Sequence, residues 1–201
     1  MKNIVAIVVV VVVLVGAFFG YQYWKLKSLA AKYANAKEIA AESIEKDGSK
    51  WKVHMESVIA QPIDKVWRAI QQPERSHEYI EAFKKSELKK SEGNTKTVEF
   101  QVQVLTLPLQ TFVAELTFDE ANQRMTVKTL SGPQDQNATY QLKSIDAGRT
   151  LLTYDATATD RISVPLPLTV QKGAVREIYV NQIKAIQKGI AEEDAKAKPA
   201  A

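Results

Sequence analysis

Residues 164–190, VPLPLTVQKGAVREIYVNQIKAIQKGI, decide how the chain folds, because here the pattern changes to that of one long amphipathic helix. Val175, Tyr179, Ile183, Ile186 and Ile190 recur at helical steps and fall on a single face. Lys172, Arg176, Glu177, Lys184 and Lys188 fall elsewhere and can stay in water. Pro165 and Pro167 break the preceding segment and set the angle at which the helix starts. About 22 residues at 1.5 Å each give roughly 33 Å, enough to cross a small sheet. Gly173 costs about 1 kcal/mol inside a helix, which predicts either a close approach to the sheet or a hinge.

Working outward, the chain ahead of this helix alternates with the period of strands. Trp51, Val53, Met55, Ser57 and Ile59 alternate with Lys52, His54 and Glu56. Pro62 then suits the first turn of a helix whose face is Ile63, Val66, Trp67 and Ile70, and Pro73 ends it. A second short helix, about 74–82, carries Tyr79, Ile80 and Phe83 inward. Phe83 to Lys90 reads as a lysine-rich strand. Four further alternations run through Val98–Val104, Phe112–Phe118, Met125–Val127 and Ala138–Leu142, and a last one takes Leu152, Tyr154 and Ala156. The short turns between them, at Gly93, Gly132 and Gly148, predict sequential antiparallel hairpins with one apolar face. Such a face has to be covered, and the long helix is the cover available. The expected fold class is α+β, with about seven strands curved around a C-terminal helix.

The order strand, two short helices, strands, long helix resembles the superfamily of START-related lipid-transfer domains, birch-pollen-allergen-like proteins, polyketide cyclases and coenzyme-Q-binding proteins. The resemblance is carried by Ser57-Val58-Ile59-Ala60 running into Pro62-Ile63-Asp64-Lys65-Val66-Trp67, by Ala138 to Leu142, by Gly148 to Tyr154 and by the helix to Ile190. Two departures are Gln61 between Ala60 and Pro62, and Gln72 where an acidic residue usually precedes the proline. The resemblance covers about 51–190 and implies a helix-grip fold around an apolar cavity.

Small or β-branched inward residues leave space in such a fold. The expected ligand-binding residues are Val98, Phe100, Val102, Phe112, Ala114, Leu116, Val127, Tyr140, Leu142, Leu152, Tyr154, Val175, Tyr179 and Ile183. The expected function is binding or transfer of a hydrophobic small molecule, such as a lipid or quinone. The alternatives are a cyclase-like enzyme using Tyr140, Tyr154 and Tyr179, or a partner-binding adaptor of the co-chaperone kind. The reading is of a non-enzyme without cofactor or metal. There is no cysteine, the two histidines are His54 and His77, and no phosphate loop or metal-binding spacing occurs.

Ile4 to Phe19 is an unbroken apolar run, followed by Tyr21, Tyr23 and Trp24 and then Lys25 and Lys27. It reads as a single-pass membrane anchor over 1–24, and a cleaved signal peptide is the competing reading. The lysines after it lean towards a cytoplasmic domain. Residues 25–49 read as a helical juxtamembrane linker, 51–190 as the domain and 191–201 as a disordered tail. The net charge of +4 is partly juxtamembrane, and nothing marks a nucleic-acid partner. Lys84, Lys85, Lys89 and Lys90 read either as a charged sheet edge or as a membrane-surface contact.

Overall fold

The computed structural model describes residues 24, 39–103, 107–163 and 166–197. Gly48, at φ +56°, takes the left-handed conformation that lets the chain reverse between β1 (Ala41–Asp47) and β2 (Lys50–Ile59). This hairpin corrects the expected helical linker, since its last residues are a strand. Ala41 to Asp47 is rich in Glu, Lys and Ala, so local propensity favours helix. Pairing with β2 from Lys50 to Glu56 overrides it, because without β1 that edge of β2 would leave a row of backbone donors and acceptors open.

After β2 come α1 (Ile63–Ile70), a 3-10 turn (Pro73–Arg75) and the one-turn α2 (Ser76–Tyr79). Proline 73 ends α1 as expected, but the second helix is shorter than its sequence suggests. Six strands follow: β3 (Phe83–Glu92), β4 (Thr95–Val102), β5 (Gln110–Asp119), β6 (Arg124–Ser131), β7 (Gln134–Asp146) and β8 (Arg149–Asp160). Strands β3 to β8 form a meander, and β8 closes onto β2, giving the order β1-β2-β8-β7-β6-β5-β4-β3. Every pair is antiparallel, and the sheet has eight strands where about seven were expected. Register shifts in β3–β4, β5–β6 and β7–β8 are the bulges that bend it.

Helix α3 (Leu168–Ala197) lies against the concave face. Tyr179, Ile183 and Ile190 of α3 pack into a core with Met55, Ile59, Val66, Trp67, Val98, Leu142 and Leu152. Trp67 meets Phe118 edge-on, with ring centroids 6.3 Å apart, and donates its indole N–H to Glu120 at 2.6 Å. The helix runs on through 191–197, which corrects the expected tail over those residues. Lys65–Asp194 (2.6 Å), Gln72–Glu193 (3.1 Å) and Tyr79–Glu192 (3.0 Å) tie its last turns to α1, the 3-10 turn and α2.

The expected anchor over 1–24 lies outside the described residues except for Trp24, as do Val104 and Pro165. No helix among the described residues is long and apolar enough to cross a membrane.

The glycines separate two effects. An added Cβ on Gly173 would meet nothing within 4 Å, so neither close approach to the sheet nor packing explains this residue. Gly132, at φ +140°, would instead press a Cβ to 3.0 Å from the Phe112 ring and 3.2 Å from the Thr111 carbonyl. Gly132→Ala should therefore cost about 2 kcal/mol or more, whereas Gly173→Ala should gain up to about 1 kcal/mol. Urea unfolding of the two variants checks both signs.

Candidate functional site: a cavity with one polar wall

Between the sheet and α3 is a cavity of about 690 Å³. Its apolar wall comes from β3 to β6, with Phe83, Phe100, Val102, Phe112, Ala114, Leu116, Met125 and Val127. Helix α3 contributes Ala174, Val175, Ile178, Tyr179 and Ile186, and Ile80 closes one side. Alternation puts every second residue of each strand inward, and many of these are too short to reach the helix.

The opposite wall, from β7, β8 and α3, is polar but uncharged. The Gln136 amide donates to the Tyr154 hydroxyl at 2.7 Å, and the Tyr140 hydroxyl donates to Gln182 at 3.1 Å. Tyr140 and Tyr154 face each other across the β7–β8 register, with ring centroids 4.7 Å apart, and Tyr179 stacks 5.6 Å beyond Tyr154. Burial pushes the Tyr140 phenol well above its usual pKa, and the neighbouring Tyr154 and Tyr179 add to this against the Gln182 bond. Burial likewise raises Tyr154 despite its bond from Gln136. Burial is also the main cause that pushes Tyr179 up to about 12. These phenols keep their protons throughout the physiological range. The Tyr179 hydroxyl itself is buried beside Ser57, and neither oxygen completes a hydrogen bond of good geometry.

Charge is confined to the two ends. At one, Asp160 accepts from the Trp51 indole at 3.0 Å and from Gln134 at 2.9 Å, and pairs with Lys46 at 2.8 Å. Lys46 also lies 4.4 Å from the centre of the Trp51 ring and donates to Gln171 of α3 at 2.6 Å. Burial opposes ionisation of Asp160, but the Lys46, Trp51 and Gln134 bonds outweigh it and hold the carboxyl below its usual pKa. At the other end Arg75 bonds Glu78 at 2.7 Å and Gln72 at 3.0 Å, and reaches the Tyr79 hydroxyl. Glu192 and Glu193 lie 4.0 Å from its guanidinium. Tyr79 rests on Gly189, where a Cβ would stand 3.6 Å from its ring.

Of the residues expected to bind ligand, Phe100, Val102, Phe112, Ala114, Leu116, Val127, Tyr140, Tyr154, Val175 and Tyr179 line this cavity. Val98, Leu142, Leu152 and Ile183 do not, because they lie deeper, in the solid core beneath it. Sequence reasoning missed Gln136 and Gln182. The signal for Gln136 was its place two residues before Ala138 on the inward face of β7. The Asp160 side chain is 12% exposed and central to the Lys46–Trp51–Gln134 cluster at its end of the cavity. His54 sits on the outer sheet face, 2.7 Å from Asp155. Lys85, Lys89 and Lys90 on the edge strand β3 pair with Glu87, Glu87 and Glu92, and Lys84 is exposed.

Fold and site together define a helix-grip domain built around an internal cavity. The chain belongs to the family described as polyketide cyclase / dehydrase and lipid transport, which matches residues 50–190. Solved structures of similar fold include the Zhui aromatase/cyclase of Streptomyces sp. R1128, with 17% identity and a TM-score of 0.63 over 76% of this chain and 98% of that one. A START superfamily protein from Mycobacterium smegmatis is 13% identical, with a TM-score of 0.59 over 70% and 97%. No curated protein matches the chain in sequence.

Because Asp160 has a depressed pKa in the fold, its contribution is present above the unfolded pKa of about 4 and is lost as pH falls through the folded value. Asp160→Asn should destabilise by about 2 kcal/mol near pH 7. Thermal unfolding from pH 7 down to pH 2 should show the gap between variant and parent closing at the acid end.

Proposed function

We propose that this domain holds an uncharged, largely apolar small molecule that carries hydrogen-bond acceptors along one edge, and that it binds or transfers this molecule without converting it. The observation that carries the reading is a cavity of about 690 Å³ with an apolar wall facing a wall of phenols and amides. Tyr140, Tyr154, Gln136 and Gln182 hold six O–H and N–H donors between them, and two are used in their mutual bonds. Four donors remain whichever way each amide is turned. Reversing an amide frees both of its N–H groups or frees the phenol, so the surplus does not depend on that assignment. Ketone, ester or quinone oxygens would satisfy it, and the apolar wall would take the rest of the molecule. A carboxylate ligand fits poorly, because the lining cation Arg75 is already engaged by Glu78 and flanked by two further glutamates.

Tethering to a bilayer through the apolar run Ile4 to Phe19 belongs to this proposal. A lipid or quinone is scarce in water, so a carrier held at its membrane meets far more of it. A cyclase-type activity is the second reading, supported by the family description and by the aromatase/cyclase likeness. Against it, a phenol with a raised pKa donates hydrogen bonds well but does not abstract protons at neutral pH. Conversion of a bound poly-carbonyl compound by the purified protein, lost in the Tyr140→Phe/Tyr154→Phe double variant, would favour the cyclase.

Residues 39–197 should saturate with an uncharged polarity-sensitive dye and enhance its fluorescence. Ala114→Trp places an indole in the cavity and should weaken binding about tenfold or more while leaving the fold intact. A parent protein that never enhances the dye, or a variant that binds it equally well, would overturn the reading.

A further inference from the structure

Seven large apolar residues among the described ones are strongly exposed, and four of them, Leu109, Ile162, Leu168 and Val170, are gathered at one end of the molecule. Leu109 follows Leu107 and Pro108, which line the cavity where β4 leads to β5. Ile162 itself lines the cavity after β8, and Leu168 and Val170 open α3 beside Gln171 and Ala174. The four are 40–49% exposed, more than isolated surface apolar residues need explaining, because together they border the mouth of an apolar chamber. The charged groups nearest this rim include two ion pairs, Arg161 3.7 Å from Asp135 and Lys46 with Asp160, and also Lys172, two residues after Val170.

We propose that this rim is a membrane-docking surface, which seats the cavity mouth on a lipid bilayer so that ligand passes between lipid and cavity without crossing water. Its purpose rests on the ligand-binding reading, although docking itself is measured without ligand. Three points choose the bilayer over a protein partner or a second copy. The rim surrounds an opening, so a protein seated there would plug the chamber, whereas a bilayer is both surface and reservoir. The rim is apolar, with two ion pairs and the single cation Lys172 beside it, which suits the boundary between headgroups and acyl chains better than it suits a strongly charged protein face. On the tethering proposed above, the apolar run Ile4 to Phe19 keeps the domain close to the bilayer. Residues 25–40 separate Trp24 from β1, and sixteen residues reach roughly 50 Å when extended. Strand β1 starts at Ala41 and runs towards the mouth, where Asp47 pairs with Lys50 next to Thr159. Its seven residues cover about 23 Å, so the linker is long enough to let the mouth turn down onto the membrane.

The lack of native cysteines makes the test direct. Single variants Leu109→Cys, Ile162→Cys and Leu168→Cys of the full chain, with Thr126→Cys on the outer sheet face as control, take an environment-sensitive label. They are reconstituted in phosphatidylcholine vesicles with and without brominated acyl chains. Docking predicts a blue shift and bromine quenching at 109, 162 and 168 but not at 126. Quenching at none of the three overturns the proposal. A blue shift that depends on protein concentration and ignores brominated lipid overturns it too, in favour of a second copy. Leu109→Glu/Leu168→Glu, at two rim residues that do not line the cavity, should slow transfer of a neutral apolar dye between vesicles about tenfold or more while equilibrium dye binding stays unchanged. Loss of dye binding in the parent would instead count against the ligand-binding reading, and the quenching pattern would still decide docking. Unchanged transfer in the variant overturns the purpose assigned to the rim.

Discussion

One helix cannot fill the concave side of an eight-stranded sheet, and the rest of this structure follows from that mismatch. Seven inter-strand spacings of about 4.8 Å make a sheet roughly 34 Å wide, while a helix with its side chains is about 10 Å across. Bulges curl the sheet towards α3, and Tyr179, Ile183 and Ile190 seal the seam against β2 and β8. On the other side short residues such as Ala114, Val127 and Ala138 leave the gap open. A dry void of this size, at about 24 cal/mol per Å³, would cost on the order of 15 kcal/mol, as much as a domain's whole net stability. The chamber is therefore filled by solvent or ligand, and its polar wall is what makes either tolerable.

The electrostatics are arranged accordingly. Full charges stand at the two ends, where each is paired and near water, and the interior carries only neutral donors and acceptors. The Lys46–Asp160–Trp51 cluster joins β1, β2 and β8 and, through Gln171, reaches the start of α3. The Arg75 and Tyr79 cluster holds the other end of that helix through Glu192. These are polar clasps on an element whose buried seam is narrow. Opening at the start of α3, where Leu168 and Val170 are exposed, would break a few hydrogen bonds and little apolar packing, whereas the buried Ile183 and Ile190 hold its later turns.

Much of this was legible in the sequence. The helix face, the strand alternation and the proline-bounded α1 follow from spacing alone, because each is set by which side chains reach the core. The first strand was not legible. Ala41 to Asp47 reads as helix in isolation and becomes a strand only because β2 offers an edge, a non-local cause. The last two turns of α3 hid for the same reason, as Glu192, Glu193 and Asp194 look solvated until Tyr79, Gln72 and Lys65 stand beside them. The chamber's apolar wall could be read from alternation. The depth of each residue could not, so Val98, Leu142, Leu152 and Ile183 were placed in the cavity when they are the floor beneath it. The polar wall was half seen, because a tyrosine draws notice in a strand and a glutamine does not.

Native mass spectrometry of residues 39–197, purified without detergent and followed by solvent extraction of whatever is bound, tests the central claim most directly. The account predicts a stoichiometric population carrying an uncharged, oxygen-bearing apolar molecule, absent from the Ala114→Trp variant. A parent protein that is ligand-free, and stays so after incubation with membrane lipid extract, would contradict it.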